Sequence, residues 1–323
     1  IETALAAHGI EAPMRLIHTS PPRSRRRATL AGRRTKKGAL VGFHARRSDT
    51  IVPIRECHVL APELLGTLPA LEDITRLGAS RSRVLGLSVT LSPAGIDLRV
   101  TGGKSLDGPL RAALPRFAAQ FVRLTWDEEL VFVDRSPVQC FGAAEVTPPP
   151  GAFLQATAEG EAALLSAVEE ATEGATRIAD LFSGCGTFAL PLAQRGAVHA
   201  VEGDAALLGA LGQAARHTPG LKPVTTETRD LFRRPLEPDE LSHFDAIVID
   251  PPRAGAEAQT RALAEARVPR IAAVSCNPVT FARDAAILAG AGYRLDWVQP
   301  VDQFRWSPHV ELAASFTLPH IGG

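Results

Sequence analysis

Short apolar runs alternate with amphipathic stretches from residue 177 to residue 289, and this alternation constrains the fold more than any other feature of the chain. The runs at 177–181, 198–202, 223–228, 244–250 and 270–275 have strand length, and the stretches at 188–195, 205–217, 259–266 and 279–289 have helical character. Strands that alternate with helices at this spacing predict a doubly wound, mostly parallel α/β sheet. Two closing runs, 293–301 and 310–317, have no helix between them and predict an antiparallel hairpin at one edge. A helix over 159–171 precedes the first strand. The break Pro148-Pro149-Pro150-Gly151 sets a boundary between a domain over 1–147 and one over 148–323, in keeping with a length of 323 residues. The first is predicted to be a smaller mixed α/β domain, with a helix at 61–71 and strands at 84–91, 96–100, 121–125 and 130–133.

Composition narrows the class. With 45 % hydrophobic and 22 % charged residues the chain is globular, not disordered. No apolar run nears the roughly 18 residues of a membrane span, no signal-peptide pattern opens the sequence, and no obligate protein partner is evident. Cys57, Cys140, Cys185 and Cys276 lie too far apart for a zinc motif or a disulfide framework, which fits a reducing cytoplasm. The chain opens on Ile1 instead of methionine, which leaves room for material upstream.

The 35 basic and 35 acidic residues cancel, yet 23–47 holds ten basic residues and no acidic one. This segment reads as two extended runs joined by a turn at Lys37-Gly38. One reading is a solvated hairpin with a charged face. The other is a surface for phosphate oxygens, which guanidinium forks match bidentately, with Arg25, Arg27, Arg33, Arg34, Lys36 and Lys37 as candidate contacts.

In an open α/β sheet the ligand sits beyond the carboxyl ends of the strands, where strand order reverses. The turn after the first strand is Asp180-Leu181-Phe182-Ser183-Gly184-Cys185-Gly186-Thr187, whose two glycines let the backbone bend sharply beside a ligand. Cys185 between them reads as a small filler. Glu202 ends the second strand 18 residues beyond Gly184, where an acid can accept hydrogen bonds from ribose hydroxyls. Asp230 and Asp250 follow the third and fourth strands. Gly184-x-Gly186-x-x-Ala189 satisfies the loose dinucleotide fingerprint, so the glycines alone leave NAD and S-adenosylmethionine equally open.

Asp250-Pro251-Pro252-Arg253 holds an aspartate rigidly at a strand end, because the two prolines fix the backbone; a plain strand stop is the simpler alternative. Methyltransferases of exocyclic amines often place an aromatic ring after such an Asp/Asn-Pro-Pro, and the arginine here argues against that reaction. Cys276, in Ser275-Cys276-Asn277-Pro278, falls 26 residues after Asp250 at the end of the fifth strand. It could be a small buried hydrophobe. It could also be a nucleophile, since a thiolate beside a helix N-terminus is stabilised. C5 of a pyrimidine becomes nucleophilic once a thiolate adds to C6, and a base must then remove the C5 proton. Glu311, in His309-Val310-Glu311-Leu312, points away from the apolar Val310, Leu312 and Ala314. It is either that base or an ordinary exposed strand glutamate.

Taken together these residues resemble the family of bacterial RNA 5-methyluridine methyltransferases, which act on tRNA or 23S ribosomal RNA. The matching segments are Phe153-Leu154-Gln155-Ala156, Asp180 to Phe188, Val201-Glu202-Gly203, Asp250 to Gly255, Ser275 to Asp284, Asp302-Gln303-Phe304 and His309-Val310-Glu311, in family order across 150–318. The resemblance implies a Rossmann-like S-adenosylmethionine-dependent methyltransferase sheet, with Cys276 as nucleophile and Glu311 as general base. It implies cofactor contacts at Gln155, Phe182, Thr187, Glu202, Asp230 and Asp250, beside the glycine turn at Gly184 and Gly186. Thr187 stands where the family often has asparagine, and Arg305-Trp306-Ser307-Pro308 departs from the family's usual wording. Many relatives begin with an RNA-binding β-barrel, and some hold a four-iron cluster on four cysteines. Cys57 resembles the last cluster ligand, but its three partners are missing, so neither an iron–sulfur cluster nor another metal is expected in this chain. That echo leans towards 23S rRNA over tRNA as substrate, with the basic hairpin on the RNA backbone. An NAD-dependent oxidoreductase, a non-catalytic RNA-binding factor and a cytosine-modifying enzyme are the rival readings.

Overall fold

The structure, a computed structural model, describes residues 1–80 and 82–319. The chain divides into two compact units, one of Ile1–Ser20, Cys140–Val146 and the residues from Glu159 onward, the other of Pro21–Gln139 and Thr147–Ala158. This grouping interleaves segments that a single cut at 147/148 would separate. The strands are β1 (His18–Thr19), β2 (Arg27–Arg34), β3 (Ala39–His44), β4 (Ile51–Pro53), β5 (Leu85–Ser92) and β6 (Gly95–Thr101). They continue as β7 (Arg123–Trp126), β8 (Glu129–Val133), β9 (Gln139–Phe141), β10 (Ala144–Val146), β11 (Arg177–Leu181) and β12 (Ala197–Glu202). The last are β13 (Val224–Thr228), β14 (Ala246–Ile249), β15 (Arg270–Ser275), β16 (Arg294–Asp302) and β17 (Glu311–Thr317).

The unit built on 21–139 is a seven-stranded sheet in the order β4-β3-β2-β5-β6-β7-β8. The basic segment is the hairpin the sequence suggests: Arg34 pairs with Ala39, and the Thr35 N–H closes the turn on the Gly38 carbonyl at 2.9 Å. The expected helix at 61–71 is two helices, Pro62–Gly66 and Leu68–Gly78. Pro69 cannot donate into a continuous ladder, and the Thr67 hydroxyl caps the Leu64 carbonyl at the break. Alternate residues of β5 bury Leu85, Leu87 and Val89 under these helices. On the sheet, Arg123 donates two bonds to Asp97, at 2.8 and 2.6 Å, and a third to the Pro148 carbonyl at 2.9 Å. Both side chains are 8 % exposed.

The other unit is an eight-stranded sheet in the order β1-β16-β17-β15-β14-β11-β12-β13. Strands β11 to β15 run parallel, as the strand–helix alternation predicts. The chain moves outward from β11 through β12 to β13, then returns to β14 on the other side of β11, so strand order reverses between β11 and β14. β14 is Ala-Ile-Val-Ile, buried throughout, as a central parallel strand covered on both faces must be. The closing hairpin forms, with β17 lying against β15 and β16 beyond it. It is not the rim of the sheet, however: β1 pairs in parallel with β16 and takes that place. The stretch expected to be helical over 188–195 is helical only at Ala189–Leu192. The helix Ala205–His217 starts on Asp204, whose carboxylate accepts the Ala206 N–H at 2.8 Å. Among the described residues no helix is long and apolar enough to cross a membrane.

Candidate active site

Doubly wound topology brings the carboxyl ends of β11, β12, β14 and β15 to one edge. The antiparallel β17 contributes its first residue there, because Leu312 pairs with Ser275 and Glu311 with Val301. Cys276 and Asp250 directly follow β15 and β14, so Asp250, Cys276 and Glu311 sit on adjacent strand ends. Their electrostatics agree. Burial, then the charge of Glu311, pushes the Asp250 carboxyl up to about 8. The Cys276 thiol is also raised, first by burial and then by Glu311 and Asp250, with Arg253 opposing.

Two expectations change here. Glu311 is only 5 % exposed, because β17 is flanked by strands on both sides and covered on both faces; it is no exposed strand glutamate. Cys276 precedes the helix Pro278–Gly290 as expected, and burial, followed by the charges of Glu311 and Asp250, raises its thiol. The N-terminus of that helix is tied to the Asp250 loop. Asn277 donates from Nδ2 to the Arg253 carbonyl at 2.8 Å, and Asp284 accepts the Ala256 N–H at 2.9 Å.

The glycine turn carries positive φ at Phe182 (62°), Gly184 (55°) and Gly186 (101°). At Gly186 a Cβ would lie 2.8 Å from the Leu190 side chain, whereas at Gly184 nothing stands within 4 Å of one, leaving an open cradle. Glu202 shapes this turn: one oxygen accepts the Gly184 N–H at 3.0 Å, the other the Gly203 and Asp204 N–H groups at 2.7 and 3.1 Å. A carboxylate has about four lone-pair sites, so one remains for a ligand hydroxyl. Asp230 accepts the Phe232 N–H at 3.0 Å, which fixes the loop after β13. Thr187 is half-buried beside the turn.

Three residues escaped the sequence reading. Phe232 is exposed and meets the Phe182 ring at 5.4 Å between centroids. The Ser183 hydroxyl is buried with no hydrogen-bond partner. Asp180 is fully buried, and burial together with the charges of Asp250 and Glu202 raises its carboxyl well above the usual range. An acid inside the apolar run Arg-Ile-Ala-Asp-Leu was the available signal.

Gln155 and the basic hairpin belong to the other unit. Gln155 is buried, and its carbonyl accepts from Arg26 Nε at 3.0 Å. Of the hairpin candidates, Arg34, Lys36 and Lys37 are exposed. Arg25 is half-buried, donates to the Arg27 carbonyl at 3.0 Å and has its pKa lowered by burial. Arg27 covers the Phe153 ring at 4.1 Å, and Arg33 donates to the Asp49 carbonyl at 3.0 Å. Cys57 accepts the Leu60 N–H at 3.4 Å, and no group of three metal-ligating side chains occurs among the described residues, so the residues present do not fit an iron–sulfur cluster.

The glycine cradle and the acid at the end of the second strand lie where open α/β sheets take their ligands, with the cysteine–carboxylate cluster on the neighbouring strand ends. The model of the tRNA (uracil-5-)-methyltransferase family matches residues 223–317. The chain is 46 % identical to an RNA methyltransferase of Brucella suis biovar 1 over 316 residues, 97 % of this chain and 76 % of the relative. It is 34 % identical to the 23S rRNA (uracil(1939)-C(5))-methyltransferase RlmD of Ralstonia nicotianae, over 91 % of this chain and 71 % of that one. The crystal structure of the tRNA (uracil-54, C5)-methyltransferase of Pyrococcus abyssi, in complex with S-adenosyl-L-homocysteine, shares the fold. Its TM-score is 0.74 at 23 % identity, over 98 % of this chain and 81 % of that chain. The chain belongs to the RNA (uracil-5-)-methyltransferase family and is an enzyme of that class.

Proposed function

We propose that this enzyme methylates C5 of one uridine in a structured RNA, 23S rRNA in preference to tRNA, through a covalent bond between Cys276 and C6. The observation that carries the reading is the convergence of Cys276, Asp250 and Glu311 on neighbouring strand ends beside the Gly184 cradle. S-adenosylmethionine supplies the methyl group as an electrophile on a sulfonium. The cradle fits such a ligand. It offers open space at Gly184 and an unpartnered Ser183 hydroxyl, and burial followed by neighbouring negative charge raises the Asp180 and Asp250 carboxyls, a cost that a cation relieves. Glu202 and Asp230 hold ribose and adenine, with Phe182 and Thr187 as further contacts.

Cys276 waits as a thiol and acts as a thiolate after giving its proton to solvent. Its sulfur bonds to C6 of a uridine turned out of its stack, C5 takes the methyl group, and the Glu311 carboxylate removes the C5 proton. The electron pair of that C–H bond restores the C5–C6 double bond as the C6–S bond breaks. Asp250, protonated near neutral pH, donates towards the uracil edge or the methyl donor. The exposed hairpin cations Arg34, Lys36 and Lys37 bear on RNA phosphates, and the reaction belongs to the cytoplasm.

RNA carrying 5-fluorouridine tests this mechanism, because fluorine cannot be removed as a proton. Wild type forms a stable protein–RNA adduct and Cys276→Ala forms none; Glu311→Gln forms the adduct but turns over slowly on ordinary RNA. Normal methylation by Cys276→Ala refutes the assignment.

A further inference from the structure

Residues 303–310 connect β16 to β17. Val301 pairs with Glu311, and Leu312 with Ser275, so both ends of this connection lie at the edge that carries Cys276. It is pinned along its length. Asp302 accepts the Phe304 N–H at 2.8 Å, Arg305 Nε donates to the Ser20 carbonyl at 2.6 Å, and the Ser307 hydroxyl accepts the His309 N–H at 3.1 Å. The Phe304 and His309 rings meet edge to face, 6.2 Å between centroids. The Ser307 N–H closes a turn on the Phe304 carbonyl at 3.0 Å. Trp306 occupies the third position of that turn with φ +64°, a left-handed conformation that favours glycine or asparagine, and its side chain is 72 % exposed. A bulky aromatic residue in that conformation is strained, and such strain gathers where a site binds.

We propose that Trp306, held on the Arg305-Trp306-Ser307-Pro308 turn, is a stacking platform for a nucleobase adjacent to the target uridine. The inference rests on the reading of the site as one for RNA uridine. A uridine turned out of its strand leaves its neighbours without a stacking partner, and an indole held at the rim replaces it. Stacking tolerates any base, because every base has a π face. The pinned turn presents the ring without loss of further backbone freedom on binding.

The test uses the full chain and unmodified 23S rRNA transcribed in vitro. Trp306→Gly lowers kcat/KM for the RNA about tenfold, and Trp306→Phe recovers most of it. RNA quenches the wild-type indole emission, and Trp306→Phe removes that quenching; of the other two tryptophans, Trp126 is 1 % exposed and Trp297 lies under Arg15. The thermal midpoint of Trp306→Gly is no lower than that of wild type, since glycine takes this φ without strain. Unchanged kcat/KM and quenching overturn the platform, as does a fall in midpoint that tracks the loss of activity. If wild type is quenched by the RNA yet transfers no methyl group to uridine, the functional reading fails and takes the adjacent-base assignment with it. If both proteins methylate equally, the platform alone fails; if wild type does not bind the RNA, both fail.

Discussion

Asp250→Asn should stabilise this protein, and by more as the pH rises. Burial and the charge of Glu311 hold the Asp250 carboxyl at about 8, against 3.8 for the ordinary side chain. Between those values the folded chain binds a proton that the unfolded chain releases, so wild-type stability falls with rising pH. The cost is absent near pH 4 and complete above pH 8. The slope is about 1.4 kcal/mol per pH unit, which for a wholly enclosed carboxyl sums to about 6 kcal/mol. Asp250 keeps some contact with solvent, and a gain of about 2–3 kcal/mol at pH 8 is expected for asparagine, which never ionises. In thermal unfolding this raises the midpoint by roughly 5–10 °C at pH 8 and by little at pH 5. Methylation should be lost in the same variant, so stability and activity move in opposite directions. A difference between variant and wild type that stays flat from pH 5 to pH 9, or a less stable variant at pH 8, would refute this account of the site's electrostatics.

Two other substitutions probe the unit that carries the hairpin. Arg123→Ala leaves the Asp97 carboxylate buried without its two charge-assisted bonds, and urea unfolding should show a loss of about 3–5 kcal/mol; replacing both residues by apolar ones should recover much of it. Lys36→Ala with Lys37→Ala should weaken RNA binding at low salt and flatten the plot of log affinity against log salt by about 1.5–2. An unchanged slope would remove the hairpin tip from the RNA interface.

What the sequence made legible, and what it hid, follows from the range of the forces involved. The runs at 177–181 and 270–275 are apolar because both faces of a central parallel strand are covered, and that pattern is local. Once parallel order is accepted, Glu202, Asp250 and Cys276 fall at one edge by topology alone. The hidden features depend on partners distant in sequence. β1 is two residues long, too short for any period to show. Glu311 is buried because β16 and β15 close over β17 from either side, which no reading of His-Val-Glu-Leu reveals. The thiol of Cys276 is raised first by burial and then by Glu311 and Asp250, groups that the sequence around Cys276 does not show. Arg25 and Arg27 look like their neighbours in a basic run, yet they are folded inward onto a carbonyl and a ring.

The pairing of β1 with β16 has a consequence for how the chain is made. Gln299 reaches the Leu16 carbonyl across 283 residues, so the segment around residue 16 waits for the one around residue 299 before it finds its place. Over that interval Leu16 and Ile17 have no sheet to join, while the almost contiguous stretch 21–158 can already collapse around its own core. Completion of the catalytic half is thus a late event in biogenesis, slow for its high contact order and exposed to capture by other nascent strands until the rim is sealed.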